Sequence, residues 1–528
     1  MNLIEDPWLP FRRLDGTVEY CRPAALASPE YGDLSLVRAD FQGAAWQFLI
    51  GLLQTTFAPK DPGEWADRWE SPPVVEELDA AFAPYRDVFE LDGDGARFMQ
   101  DSDPLADRPE SSVASLLIEA PGAQTLKLNS DHFIKRSLAE CMCPACAAAA
   151  LFTMQINAPS GGKGYRTGLR GGGPLTTLVL PHHAESTLWQ GLWLNVLDRE
   201  ANEFSVPVPQ DGSVFPWLTD TQESEREGSE VLPDGAHPLH VYWAMPRRFR
   251  LMFESTPCEC DLCGRQSQNT VASVRAKNYG NNYAGPWVHP LTPYRLDLKK
   301  PLEPPVSIKG QPGGIGYRQW GSLLLEDSQG RGQMPARAVR DYVARKAPIL
   351  DEVEDIAQRA RLWVFGYDMD NMKARGWYAK EMPLLVVTPE TQDQLLAWVE
   401  QLTVVASEAA DRTQAAVRSA WFSTPKDVGG DLSYVGRRLF EATEADFYTC
   451  LFDLWDAIQA GTEGVLPEAV AKRWYTRLRD TALYVFDDLS LTGDIGALDM
   501  KRIVRARNKL NKWLLAGKPM KELQAAAG

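Results

Sequence analysis

Six of the eight cysteines fall in two short clusters, Cys141-x-Cys143-x-x-Cys146 and Cys258-x-Cys260-x-x-Cys263, while Cys21 and Cys450 stand alone. In the pairs Cys143/Cys146 and Cys260/Cys263, one tight turn can present two soft thiolates to the same ion. Two such pairs supply the four ligands of a closed tetrahedral zinc site. More than 110 residues separate the clusters, so a shared site must join distant segments rather than close a zinc ribbon. Reduced buried thiols are a plainer alternative. A redox centre is a third, although it needs only one pair at the start of a helix. Within each triplet the spacing leaves open which sulfurs ligate.

Other chemistry is thin. None of the six histidines is followed by Asp, and the chain holds no H-E-x-x-H, no G-x-S-x-G and no complete phosphate loop. Ser160-Gly161-Gly162-Lys163-Gly164 superficially resembles a phosphate loop, but it lacks the first Gly and the Ser/Thr after Lys. These enzyme signatures are absent. The surrounding segment Asn157–Pro174 still packs seven glycines and three cations into eighteen residues. Glycines let a backbone approach a groove or a phosphate closely, with free N–H groups to donate there. A flexible surface hairpin is the bland alternative.

These groups sit on a large chain. Its 528 residues are 44% apolar with 17 Trp, ample for a large core and inconsistent with a disordered chain or a rod. The formal charge of −16 opposes nonspecific nucleic-acid binding by the chain as a whole, so any DNA contact falls on local patches. No apolar run approaches the ~20 residues of a membrane span. Met1–Trp8 shows neither a basic nor an apolar leader segment, so the expected location is the cytoplasm, with no membrane partner.

Residues 1–385 read as mixed, with strand-like runs such as Leu175–Leu180, a clear helix over Phe41–Phe57 and many Gly and Pro loops. Gln210–Asp234 is polar and turn-rich, and reads as an exposed insertion. After residue 386 the texture becomes long amphipathic helices. Thr388-Pro389-Glu390 is a start signal, and further helices read as Tyr434–Ala460, Pro467–Asp487 and Gly496–Leu515. Four helices with short connections predict an antiparallel bundle over 386–528. From Asp499 to Glu522 eight basic residues face two acidic ones, either a solvated helix face or a phosphate-contacting one.

The ordered set of Asn2-Leu3-Ile4, Pro7-Trp8-Leu9-Pro10, Phe98-Met99-Gln100, Cys143-Pro144-Ala145-Cys146, the glycine block through Pro174-Leu175-Thr176-Thr177, Cys260–Cys263, Trp287-Val288-His289-Pro290 and Lys299-Lys300 resembles the large subunit (CasA family) of the type I-E CRISPR Cascade surveillance complex. The resemblance runs along essentially the whole chain. It implies a subunit without catalysis of its own that reads a short protospacer-adjacent motif (PAM) in the minor groove of duplex target DNA. Such a subunit wedges the strands apart for guide-RNA pairing and recruits a helicase–nuclease. Protein reading of the short motif, with base pairing reading the rest, has a parallel in other RNA-guided systems.

Carried over by position, the family's glycine loop falls on Ser160, Gly161, Gly162, Lys163 and Gly164, with Lys163 where the family has a small residue. The lysine finger falls near Arg275-Ala276-Lys277-Asn278. Strict counting from Cys263 lands on Asn278, and a shift of one residue selects Lys277, with Arg275 in reserve. The wedge falls on Asp370-Asn371-Met372, with Asn371 in the position of the family's Gln. Lys299 and Lys300 are similar to a basic pair that grips the DNA backbone. The loop Lys127–Glu140, with Lys127, Asn129, Lys135 and Arg136, is similar to a segment that meets the guide's 5′ end and the target. The expected fold is thus α+β: a large irregular mixed domain over 1–385 carrying a zinc site on Cys143, Cys146, Cys260 and Cys263, then a four-helix bundle. The rivals are a metal-dependent nuclease and a scaffold subunit that reads no DNA.

Overall fold

The computed structural model describes all residues except 121–137, 160, 184, 203, 301, 312–313, 326–331, 355–359, 371–372, 426–429, 493–498 and 528. The chain divides into two compact units, Met1–Gly310 with Pro335–Glu381, and Gln311–Met334 with Met382–Gly528.

The first unit is organised around one helix, Ala39–Thr56. Apolar residues occupy nearly its whole circumference, so it is buried all round rather than along one stripe. Phe48 sits at the centre of an aromatic cluster. Trp8, Phe89, Phe98, Phe152 and Trp243 meet its ring edge-to-face at centroid distances of 5.3 to 5.9 Å, a geometry that adds quadrupolar attraction to area burial. Helix Pro144–Asn157 packs against it, opened by Cys143 and by Pro at its first position. Two small antiparallel sheets flank this core. Strand Arg248–Glu254 pairs with Thr270–Lys277, and the hairpin Arg361–Asp370/Lys373–Pro383 adds Thr176–Leu180 at its edge, with Phe365 opposite Thr176.

The insertion over 210–234 differs from its sequence reading. Val214, Phe215 and Trp217 are wholly buried, and Trp217 Nε1 donates to the Val88 carbonyl at 2.8 Å. The polar surroundings hide these anchors, of which Phe215 and Trp217 join the Phe89 and Trp243 cluster. The second unit also differs from the expected division. Residues 311–334 belong with the helices, because Tyr317 stacks on Phe447 at 4.3 Å and its hydroxyl bonds Thr443 Oγ1 at 2.9 Å.

Among its described residues the helical unit has four long helices, Pro389–Trp421, Ser433–Gln459, Glu468–Leu491 and Met500–Ala516, and two short ones, Trp320–Leu324 and Lys518–Ala526. Pro stands at the start of the first as expected, but the Thr388 side chain makes no capping bond to the helix and pairs with Thr391 Oγ1 instead. Arg502, which the sequence places on the basic face, closes the end of the first long helix by donating to the Ala420 and Trp421 carbonyls at 2.8 and 3.3 Å. Arg507 pairs with Asp487. Lys501, Arg505, Lys509 and Lys512 remain as one exposed stripe.

His240 is buried, with Nδ1 2.9 Å from the Ser213 carbonyl and Nε2 3.0 Å from the Tyr283 hydroxyl. Burial pushes its pKa from 6.5 down to about 4. The folded state therefore favours the neutral ring, and its stabilisation is complete above about pH 6.5 and is lost as pH falls through about 4. Thermal unfolding of the wild type is expected to fall across that window. His240→Gln, which cannot charge, is expected to show a shallower fall.

Candidate metal centre and nucleic-acid interface

Local folding brings the two cysteine clusters together. Cys143 caps helix Pro144–Asn157, its Sγ accepting the Cys146 N–H at 3.5 Å. Cys260 sits in a tight turn between the paired strands Cys258–Glu259 and Gln266–Ser267, with Gly264 at φ +69°. Asp261 stitches one turn to the other, accepting from the Glu140 and Cys141 N–H groups at 2.7 and 2.9 Å. Met142 pairs with Val271 just beyond.

The sulfurs of Cys143, Cys146, Cys260 and Cys263 all lie within 4.8 Å of one another, with Cys143 and Cys263 3.7 Å apart. A tetrahedron with metal–sulfur bonds of ~2.3 Å has edges of about 3.8 Å, so the spacing fits one ion. The neighbouring Cys143 and Cys260 sulfurs, together with burial, push the Cys146 thiol far above its ordinary range. Four ionised sulfurs at this spacing need a cation between them. Cys141 and Cys258 lie next to each other, outside this group of four sulfurs.

The structure also brings the glycine segment to the end of strand Thr270–Lys277. Asn278 Nδ2 donates to the Lys163 carbonyl at 2.7 Å, and the Tyr279 N–H donates to the Gly164 carbonyl at 2.8 Å. Gly164 has φ +78°, and a Cβ there would lie 3.0 Å from both Asn278 Cβ and the Tyr279 ring. Tyr279 itself holds φ +63°. A non-glycine residue in this conformation stores strain that its surroundings must hold, and such positions cluster at binding sites. Arg247 donates to the Pro159 carbonyl and lies 4.5 Å over the Tyr165 ring. Arg166 donates to Ser224 Oγ and its carbonyl at 2.7 and 2.6 Å, fixing the other side of the loop.

The remaining expected residues are placed less tightly. Arg275 pairs with Glu110 at 3.1 Å and Lys277 with Glu223 at 3.4 Å. Lys299 and Lys300 are exposed, the latter 2.9 Å from Glu303. Asp370 ends its strand. Ser160, Asn371 and Met372, with Lys127, Asn129, Lys135 and Arg136, lie outside the described residues. Arg170, one of the three cations of the glycine segment, is a core residue. Its guanidinium donates to Thr176, Thr292, Gln47 and the Ile156 carbonyl, and burial pushes its pKa down to about 10.

Sequence reasoning missed Glu223, Ser224 and Asp103. Each is a short polar residue in an irregular segment, and only tertiary folding sets it beside the loop. Among the described residues no helix is long and apolar enough to cross a membrane.

Comparison with known proteins agrees with this architecture. CasA of Thermus thermophilus superposes with a TM-score of 0.69 at 18% identity, covering 97% of this chain and 99% of that one. A CRISPR-associated protein Cse1 from Acidimicrobium ferrooxidans gives 0.68 at 18%, covering 100% and 99%. A chain of a CRISPR RNA-guided surveillance complex gives 0.67 at 16%, covering 98% and 99%. These likenesses establish the shared fold. The sequence pattern of the CRISPR-associated protein Cse1 family matches residues 2–485, and the chain belongs to that family.

Proposed function

We propose that this chain is the large, DNA-reading subunit of a type I-E Cascade complex, assembled with guide RNA and the other Cascade subunits. The observation that carries the reading is the union of two segments far apart in sequence. The loop Gly161–Gly164 and the tip Lys277–Tyr279 are hydrogen-bonded into one surface, with Gly162, Lys163 and Asn278 exposed and Lys277 half-buried. A glycine-lined backbone edge beside a lysine and an amide suits the narrow minor groove, whose purine N3 and pyrimidine O2 acceptors give a degenerate code. Several related motifs would then be accepted.

In this reading Asp370, Asn371 and Met372 enter beneath the first base pair after PAM contact. Lys299-Lys300 grips the backbone, with Arg275 in reserve at the finger. The segment bearing Lys127, Asn129, Lys135 and Arg136 meets the guide's 5′ end and the target. The stripe Lys501, Arg505, Lys509 and Lys512 offers a second phosphate-binding face. The four cysteines hold a structural zinc that fixes the strand bearing the finger to the helix preceding the loop. The chain performs no bond chemistry itself and recruits the helicase–nuclease that does, in the cytoplasm.

The test is binding of the assembled, guide-loaded complex to duplexes with and without a PAM. Preference for the PAM duplex is expected. Removing Lys299 and Lys300 together as Ala should weaken both duplexes alike and flatten the salt dependence by about 0.9 per lost phosphate contact. Equal binding of the two duplexes by the wild type would return the chain to a scaffold that reads no DNA.

A further inference from the structure

The finger lysine does not stand alone. Lys277 Nζ lies 3.4 Å from Glu223 Oε1 and 4.0 Å from Asp103 Oδ2. The same Glu223 oxygen accepts from Arg248 Nη1 at 2.6 Å, and Arg248 is tied to the buried Asp101 and lies 3.7 Å from Asp103. Two cations therefore share three carboxylates. The Arg248 guanidinium, and then Lys277, hold the Glu223 carboxyl below the usual range, so it is ionised at neutral pH.

This surrounding is unlike that of a phosphate-gripping lysine. Such a lysine acts through its net charge and through counterion release, and binds every sequence alike. A base edge in the minor groove is a neutral acceptor and needs a well-placed donor instead. An ammonium beside two carboxylates has its field toward phosphate cancelled, yet it carries three N–H donors and can direct one outward. The acids also repel phosphates that approach the same spot.

We propose that Glu223, with Asp103, is a specificity-determining positioning residue that converts Lys277 from a backbone anchor into a donor for base edges in the minor groove of duplex DNA. The proposal rests on the reading above that the Lys277 tip meets DNA. It assigns a role to a segment, 222–224, whose sequence reads as a solvated insertion. The same segment is bonded to the site at three further points: Gln222 N–H to Asn281 Oδ1 at 3.1 Å, Ser224 N–H to the Tyr279 carbonyl at 3.2 Å, and Ser224 to Arg166.

The experiment measures binding of the assembled complex carrying Glu223→Gln to PAM and PAM-less duplexes across a salt series. PAM-less binding is expected to tighten, and the PAM preference to fall roughly tenfold, the scale of one base contact. The salt slope should steepen by about 0.9, one released phosphate contact. Because Glu223 also holds Arg248 at 2.6 Å, Asp103→Asn, whose carboxylate lies farther from Arg248 at 3.7 Å, serves as the second variant, with the same direction and a smaller effect. Thermal unfolding of both variants confirms that they fold. Unchanged preference and slope in the two folded variants, or equal weakening on both duplexes, overturns the proposal. A wild type that does not distinguish the duplexes overturns the site reading itself, and this proposal with it.

Discussion

The wild-type chain is expected to carry about one zinc ion, the stoichiometry of a single closed site, and Cys260→Ser is expected to abolish metal binding. The loss should also destabilise the first unit strongly, by ~4 kcal/mol or more, as loss of a structural metal is among the few single changes of that size. Cys260 lies in the turn after residue 258 and Cys143 at the start of helix Pro144–Asn157, so the four sulfurs clamp segments more than 110 residues apart. Binding energy at such a junction is folding energy. Cys143→Ser should behave alike. Cys141→Ser removes a sulfur outside the group of four and should keep the metal. Cys450→Ser is the control for metal content, since that thiol belongs to the helical unit and not to the group of four sulfurs. Metal analysis with thermal unfolding reads all four variants. A metal-free, carefully reduced wild type, with Cys143→Ser and Cys260→Ser folding normally, would make the cluster a set of buried thiols.

What could be read in advance follows from how locally each feature is determined. The two Cys-x-x-Cys turns and the amphipathic helices after residue 386 are set by short-range spacing, and the structure has them. The core helix was legible for the same reason, read over Phe41–Phe57 and found over Ala39–Thr56. Trp217 and Phe215 were not, because the short run Val214–Leu218 within a polar stretch carries no period, and its partners Tyr85 and Phe89 lie far away in sequence. Tyr317 was assigned to the wrong unit because nothing near it in sequence announces the stacking on Phe447. The loop Gly161–Gly164 and Lys277 were singled out only through family resemblance. Their acidic neighbours Glu223 and Asp103 lie in segments with no motif, so their charges acquire meaning only once Lys277 is placed between them.

Gly162→Val is expected to leave thermal unfolding of the chain unchanged and to cost the complex at least tenfold in affinity for PAM-bearing duplex, about 1.4 kcal/mol. The contrast within one loop makes the test sharp. A Cβ at Gly162 meets nothing within 4 Å, so the folded chain has room for the larger side chain. At Gly164 the same change meets Asn278 and Tyr279 at 3.0 Å and forces an L-residue to φ +78°, so fold and binding should suffer together. The empty space beside Gly162 is where minor-groove edges would lie if the loop's backbone approaches them. A valine there holds the bases away while leaving Lys163, Lys277 and their charges in place. Binding to PAM-less duplex, which depends on phosphate contacts elsewhere, should therefore change little. Normal PAM affinity in a folded Gly162→Val complex would mean that the loop stays outside the groove, and that the tip Lys277–Tyr279 reads the motif without it.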